Sequence, residues 1–210
     1  AQLNKALHHQ DPVIKVHALR ILTEMNTLSD SYRDVAVQSL SDRSPHVRRM
    51  AAGVLTKFTS AENIAPLLSL CGKTDEKDSH LRYTILLAIR NNLRNGKEIK
   101  RVLGMQWNEE QLAVLVRVML DVPSAEAAGF VLNYIKDHEM PRQQLIHSFE
   151  YAGRYLPSSR TDDAVTLISK QFEKDMDGQF MLYNIIRQGI AQKGAKPSMR
   201  MQQWGIGLTK

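Results

Sequence analysis

Cys71 is the single cysteine in 210 residues. No intrachain disulfide can therefore form, and no thiolate cluster is available for zinc or iron–sulfur. It lies in the apolar run Leu67-Leu68-Ser69-Leu70-Cys71, where a buried structural thiol is the default. One cysteine leaves the redox compartment open. No apolar run approaches the ~18 residues of a membrane helix, and the first residues do not read as a signal peptide. Aromatic residues are only 6%, which leaves aliphatics and nine methionines to fill a core. No stretch alternates apolar and polar residues for long enough to make a strand. G-x-S-x-G, the P-loop and G-x-G-x-x-G are missing; Gly205-Ile206-Gly207 lacks the third glycine and follows no strand. The expectation is a protein without catalytic, cofactor-binding or metal-binding residues, and not an enzyme.

What the chain does have is a repeated phrase. Ser44-Pro45-His46-Val47-Arg48 through Ala51, Val54, Leu55 and Phe58 reads as a helix with proline in its first turn, where the missing N–H costs nothing. Ser44 stands as its N-cap, and the apolar residues fall at helical spacing on one stripe. Asp11-Pro12-Val13-Ile14-Lys15 through Ala18 and Leu22 is the same phrase 33 residues earlier. Asp78-Ser79-His80-Leu81-Arg82 through Ile85 and Ile89 repeats it 34 residues later. A near-fixed period of this length predicts stacked helical hairpins.

Along the chain, the pattern predicts roughly twelve helices in about six hairpins. The first runs from Ala1 to His9, already helical at its start, so the chain reads as a piece of something longer. Ser60 should cap the next helix after Phe58, with Pro66 kinking it or delaying its start. Asn108-Glu109-Glu110 and Thr161-Asp162-Asp163 open later helices, where carboxylates meet the positive end of the helix dipole. Asp177-Gly178 should break the chain before a last long helix over 179–191, followed by a short one near 198–204. Trp107 is expected to plug a joint between the two halves, and Trp204 to face whatever follows. Tyr151 and Tyr155 share a helix face, lining a groove or packing in the core.

The formal net charge of +6 permits acidic partners, but the cations are dispersed over all helices, with no block of five or six. Lys15, Arg48 and Arg82 hold the same place in successive repeats, four residues after Asp11, Ser44 and Asp78. They read either as a ladder of pairs between stacked repeats or as a row of cations tracking a phosphate backbone. Arg49 and Arg90 would widen that basic ridge. His8, His9 and His17 lack the one-face spacing and carboxylate company of a metal site, and His80, His138 and His147 are solitary.

The three aligned phrases resemble HEAT repeats. That resemblance implies an all-α, right-handed α-α superhelix, an armadillo-like solenoid, regular over 1–95 and divergent over 96–210 within one domain. A narrower resemblance rests on Asp78-Ser79-His80-Leu81-Arg82-Tyr83-Thr84-Ile85-Leu86-Leu87-Ala88-Ile89-Arg90-Asn91-Asn92-Leu93, on Pro123-Ser124-Ala125-Glu126-Ala127-Ala128, on Arg154-Tyr155-Leu156-Pro157 and on Gln188-Gly189-Ile190-Ala191-Gln192-Lys193-Gly194. These look like the HEAT region of large secreted bacterial proteins that join a sugar-dehydrogenase-like β-propeller to a c-type cytochrome module. The implied setting is extracytoplasmic, with the propeller and haem chemistry lying elsewhere, since no C-x-x-C-H is present here. The expected function is a scaffold presenting a concave helical surface to flanking domains or another protein, with no cofactor and no membrane span. The alternative is a nucleic-acid-binding module using a basic concave face.

Overall fold

A computed structural model describes residues 2–209 of the chain. Ala1 and Lys210 lie outside the described residues, and with them the expected helical start at Ala1. The described residues form thirteen α-helices and two short 3-10 turns, with no strand. The fold is an all-α solenoid, and the chain divides into two compact units, Ala1–Val118 and Met119–Lys210. The repeat pattern weakens after residue 95, whereas the unit boundary falls near the end of a helix more than twenty residues later.

In the first unit the order is α1 (Gln2–Leu7), α2 (Pro12–Glu24), α3 (Asp30–Ser39), α4 (Pro45–Lys57), α5 (Ile64–Lys73), α6 (Ser79–Leu93), α7 (Gly96–Leu103) and α8 (Glu109–Met119). Helices α2, α4 and α6, the three repeated phrases, pack side by side, and α1, α3 and α5 each back the helix that follows. Apolar residues at helical spacing drive this: Ala18 and Leu22, then Val47, Ala51, Val54 and Leu55, then Leu81, Ile85 and Ile89 are all buried. The Asp11 carboxylate accepts from the Val13 N–H at 2.8 Å, and Asp78 from Leu81 N–H at 3.1 Å, satisfying donors that the first helical turn leaves free. Ser44 sits at the cap position of α4 but makes no side-chain cap bond. Its own N–H is held by the Asp42 carboxylate at 2.8 Å.

Ser60 does not cap α5 either. A 3-10 turn over Ala61–Asn63 intervenes, and α5 begins at Ile64. Pro66 then falls in the first turn of α5, where its missing N–H breaks no bond. At α8 the expected cap forms reciprocally, Asn108 Oδ1 accepting from Gln111 N–H at 2.9 Å and Gln111 Oε1 from Asn108 N–H at 3.1 Å. Trp107 donates its indole N–H to the Val102 carbonyl at 3.1 Å, closing over the end of α7.

The second unit contains α9 (Ala125–Asp137), α10 (Arg142–Tyr155), α11 (Thr161–Gln171), α12 (Met176–Gln192) and α13 (Met199–Gly207). Helices α10 and α12 pack side by side, with α9 against α10 and α11 against both α12 and α13. Asp177-Gly178 does not break the chain. Asp175 caps α12, accepting from Gly178 N–H at 2.8 Å, so both residues lie in its first turn. Gly178 is buried, and a Cβ there would sit 2.6 Å from the Asp175 carboxylate and 2.7 Å from the Phe172 ring. Trp204 packs edge-on to Tyr183 at 5.4 Å and donates to Gln179 Oε1 at 3.1 Å. Tyr151 is a core residue: its hydroxyl donates to the Val122 carbonyl and its ring meets that of Tyr155 at 4.9 Å.

Candidate interaction surface

The three repeat helices place equivalent residues in rows on their exposed side. Val13, His46 and His80 form one row, and Val16, Arg49 and Tyr83 the next. Val13 is 60% exposed and Tyr83 68%, large values for residues that gain from burial. Arg20 lies beyond them on α2, and half-buried Leu87 at the same place on α6. Because α2, α4 and α6 lie against one another, these rows make one surface of mixed apolar, imidazole and cationic character. Binding surfaces are commonly composed this way, aromatic and arginine side chains standing among polar ones.

Lys15, Arg48 and Arg82 do not join that surface; all three are directed to polar groups of the chain. Lys15 Nζ pairs with Asp42 at 2.7 Å, across 27 positions, and not with Asp11 four residues before it. Arg48 Nη1 donates to the carbonyls of Asp42 at 2.9 Å and Arg43 at 3.0 Å. Arg82 Nη1 donates to the Thr74 carbonyl at 3.2 Å. Burial pushes the Asp42 carboxyl up, but the bonds from Lys15 and Ser44 outweigh it and hold Asp42 below its ordinary value. Arg49 is exposed on α4, while Arg90 on α6 is half-buried with its Nε unpartnered. The five cations of the expected ridge therefore occupy three different settings.

The HEAT-repeat family model matches residues 1–90. This stretch is HEAT-like. No curated protein matches the chain. Two crystal structures of engineered proteins from the Northeast Structural Genomics Consortium resemble it at TM-scores of 0.48 each, with 15% and 16% identity. The first aligns over 97% of this chain and 96% of its own, the second over 99% and 60%, so the chain spans 60% of the second protein's length.

The HEAT-like stretch ends in a buried polar knot that no motif announced. Asn92 is fully buried and uses its amide in both directions. Its Nδ2 donates to the carbonyls of Leu55 at 2.9 Å and Ala88 at 2.8 Å, while Oδ1 accepts from Ser60 N–H at 2.6 Å and Asn63 Nδ2 at 3.1 Å. Glu98, from α7, accepts from Ala61 N–H at 2.7 Å and from Arg101 at 3.0 Å. Arg101 also reaches Glu62. The Ser60 hydroxyl, the residue's own backbone N–H and Arg101 together lower Glu62 to about 2. These bonds pin the 58–63 connection where α5 starts late. Asn63 Oδ1 alone among these groups is buried without a partner; the rest of the knot is paired, which makes it a structural device.

His9 Nδ1 accepts from Asp11 N–H at 3.0 Å, His8 bonds the Asn4 carbonyl at 2.8 Å, and His138 stacks on Tyr134 at 3.8 Å. Among the described residues, no three of His, Cys, Asp and Glu gather in a metal-binding group. Cys71 is buried, and burial pushes its thiol up, away from the reactive thiolate. No described helix is long and apolar enough to cross a membrane.

Proposed function

We propose that the chain is a non-catalytic interaction module that presents the α2–α4–α6 face to a partner protein or a neighbouring domain. The observation that carries this reading is the pair of large apolar residues, Val13 and Tyr83, held 60% and 68% exposed on a rigid row of packed helices. HEAT repeats generally serve as protein-interaction scaffolds, and stacked hairpins offer extended surfaces without needing a pocket. Nucleic acid is the less favoured ligand, because Lys15, Arg48 and Arg82 are engaged within the chain. A phosphate-tracking ridge needs its cations free to meet phosphates.

Its proposed setting, carried by the narrower resemblance alone, is a larger extracytoplasmic protein with redox modules elsewhere. The intact mass and reduced visible spectrum of the native protein test that setting: a c-type haem band on a much larger chain supports it, and a chain of this size without a chromophore rules it out. For the surface itself, a photocrosslinking residue at position 83 should capture one defined protein or flanking domain, while the same residue at the exposed Lys97 captures none. Equal or absent capture at both positions would overturn the reading.

A further inference from the structure

Asn91 Nδ2 donates to the Thr56 carbonyl at 3.4 Å and Asn92 Nδ2 to the Leu55 carbonyl at 2.9 Å. These bonds fix the register of α6 on α4 and set Arg90 level with Thr56, Leu87 with Gly53 and Tyr83 with Arg49. Among the described residues, the outward rows of α2, α4 and α6 carry Arg20, Arg49, Lys57, Arg90 and Arg94 against one carboxylate, Glu24. Glu24 lies 3.9 Å from Arg20. Asp11 and Asp78 stand at the N-terminal ends of their helices and are spent on caps. Lys57 is drawn to the Thr23 and Met25 carbonyls, but Arg49 and Arg90 pair with no carboxylate among the described residues. Arg90 is half-buried, and its Nε–H meets no acceptor. A cation partly withdrawn from water gains more from an incoming carboxylate than a fully exposed one does. Between Arg49 and Thr56, α4 presents Gly53, where a Cβ would meet nothing within 4 Å. The face therefore dips there, with Leu87 at its side.

We infer that the partner of the α2–α4–α6 face is an acidic protein segment, which seats an apolar side chain in the dip over Gly53 and sets carboxylates against Arg49 and Arg90. This rests on the interaction reading and names the chemistry of its partner. A nucleic-acid strand fits less well. The two arginines hold different places in their repeats, and each stands beside apolar residues, Arg49 between Val16 and Tyr83 and Arg90 one turn beyond Leu87. Phosphates recur evenly along a strand, whereas carboxylates spaced by apolar side chains match that alternation.

The test uses the whole chain and the fluorescence anisotropy of a short labelled helical peptide with leucine on one stripe and glutamate on the other. Binding should weaken about tenfold in Arg90→Gln and in Arg49→Gln, the equivalent of one lost charge-assisted bond each. It should weaken similarly in Gly53→Leu, which fills the dip and leaves every charge in place. Lys73→Gln, the same charge change at an exposed position on α5 outside those rows, should bind as the parent does. Circular dichroism confirms that each variant is folded. The inference is overturned if the peptide does not bind, if Lys73→Gln weakens it equally, or if a leucine–lysine peptide binds as well. It is also overturned if a single-stranded oligonucleotide, and not the peptide, binds in an Arg90-dependent way. Capture at position 83 separates this inference from the reading beneath it. A defined partner captured equally when Arg49 and Arg90 are both glutamine sinks the acidic segment alone, while no capture at all sinks the face.

Discussion

Asn92 shows how much one side chain carries in this chain. Its amide satisfies the Leu55 and Ala88 carbonyls, the Ser60 N–H and the Asn63 amide at once, and it is fully buried. Removing it leaves buried donors and acceptors without water or partner, at about 1–3 kcal/mol per orphaned group. Asn92→Ala should therefore lower unfolding stability by about 3 kcal/mol, read as a shift in the urea midpoint. Asn92→Leu retains the volume but not the bonds and should fall nearly as far; recovery of parental stability by leucine would show that packing, not hydrogen bonding, holds the knot. The Asn108 cap of α8 was legible in the sequence, but the role of Asn92 was not, because its partners Leu55 and Ser60 lie more than thirty positions away. A separation of 27 positions hid Asp42 from Lys15 in the same way. A carboxylate at i−4 was the visible candidate, yet Asp11 is occupied in capping Val13.

Whole elements were easier to read. The stripes through Val47, Ala51 and Leu55 and through Leu81, Ile85 and Ile89 obey one period, and burial on a helix depends on that period alone. Boundaries governed by tertiary contact were harder. Asp177-Gly178 has the composition of a turn, but Asp175 supplies the cap and Phe172 fills the space above Gly178. The crossing of α10 and α12 gives a sharper case. A Cβ on Gly189 would lie 2.5 Å from the Gly153 carbonyl oxygen, which is backbone and cannot move aside. Gly189→Ala should cost about 2–3 kcal/mol through overpacking. Gly53 is the control, because a Cβ there meets nothing within 4 Å in the middle of α4. Gly53→Ala should stabilise the first unit by up to about 1 kcal/mol through helix propensity. Equal effects of the two substitutions would mean that α10 and α12 do not approach as closely as described.

At the scale of the whole molecule, each compact unit holds one tryptophan, Trp107 in the first and Trp204 in the second. Variants retaining only one of them report each unit separately, and acid is the condition that exercises both. Glu62 and Asp42 are held below their ordinary values in the first unit. Asp175 is held low in the second, first by the Gly178 N–H and then by Arg142. A carboxyl with a depressed folded pKa binds its proton more readily in the unfolded chain, so its stabilisation is complete above the ordinary carboxyl range and is lost as pH falls through its folded value, about 2 for Glu62. Fluorescence midpoints for both units should therefore drop through that window, and added salt should shrink the Asp175 part, since that pair is exposed and screened. Glu62→Gln should flatten the Trp107 profile over that window while leaving the Trp204 profile unchanged, and Asp175→Asn should do the reverse. The assignment fails if Glu62→Gln leaves the Trp107 slope intact, because among the described residues of the first unit no other carboxyl is pulled to about 2. The acid response of that unit would then have to come from Asp42 and its pairing with Lys15.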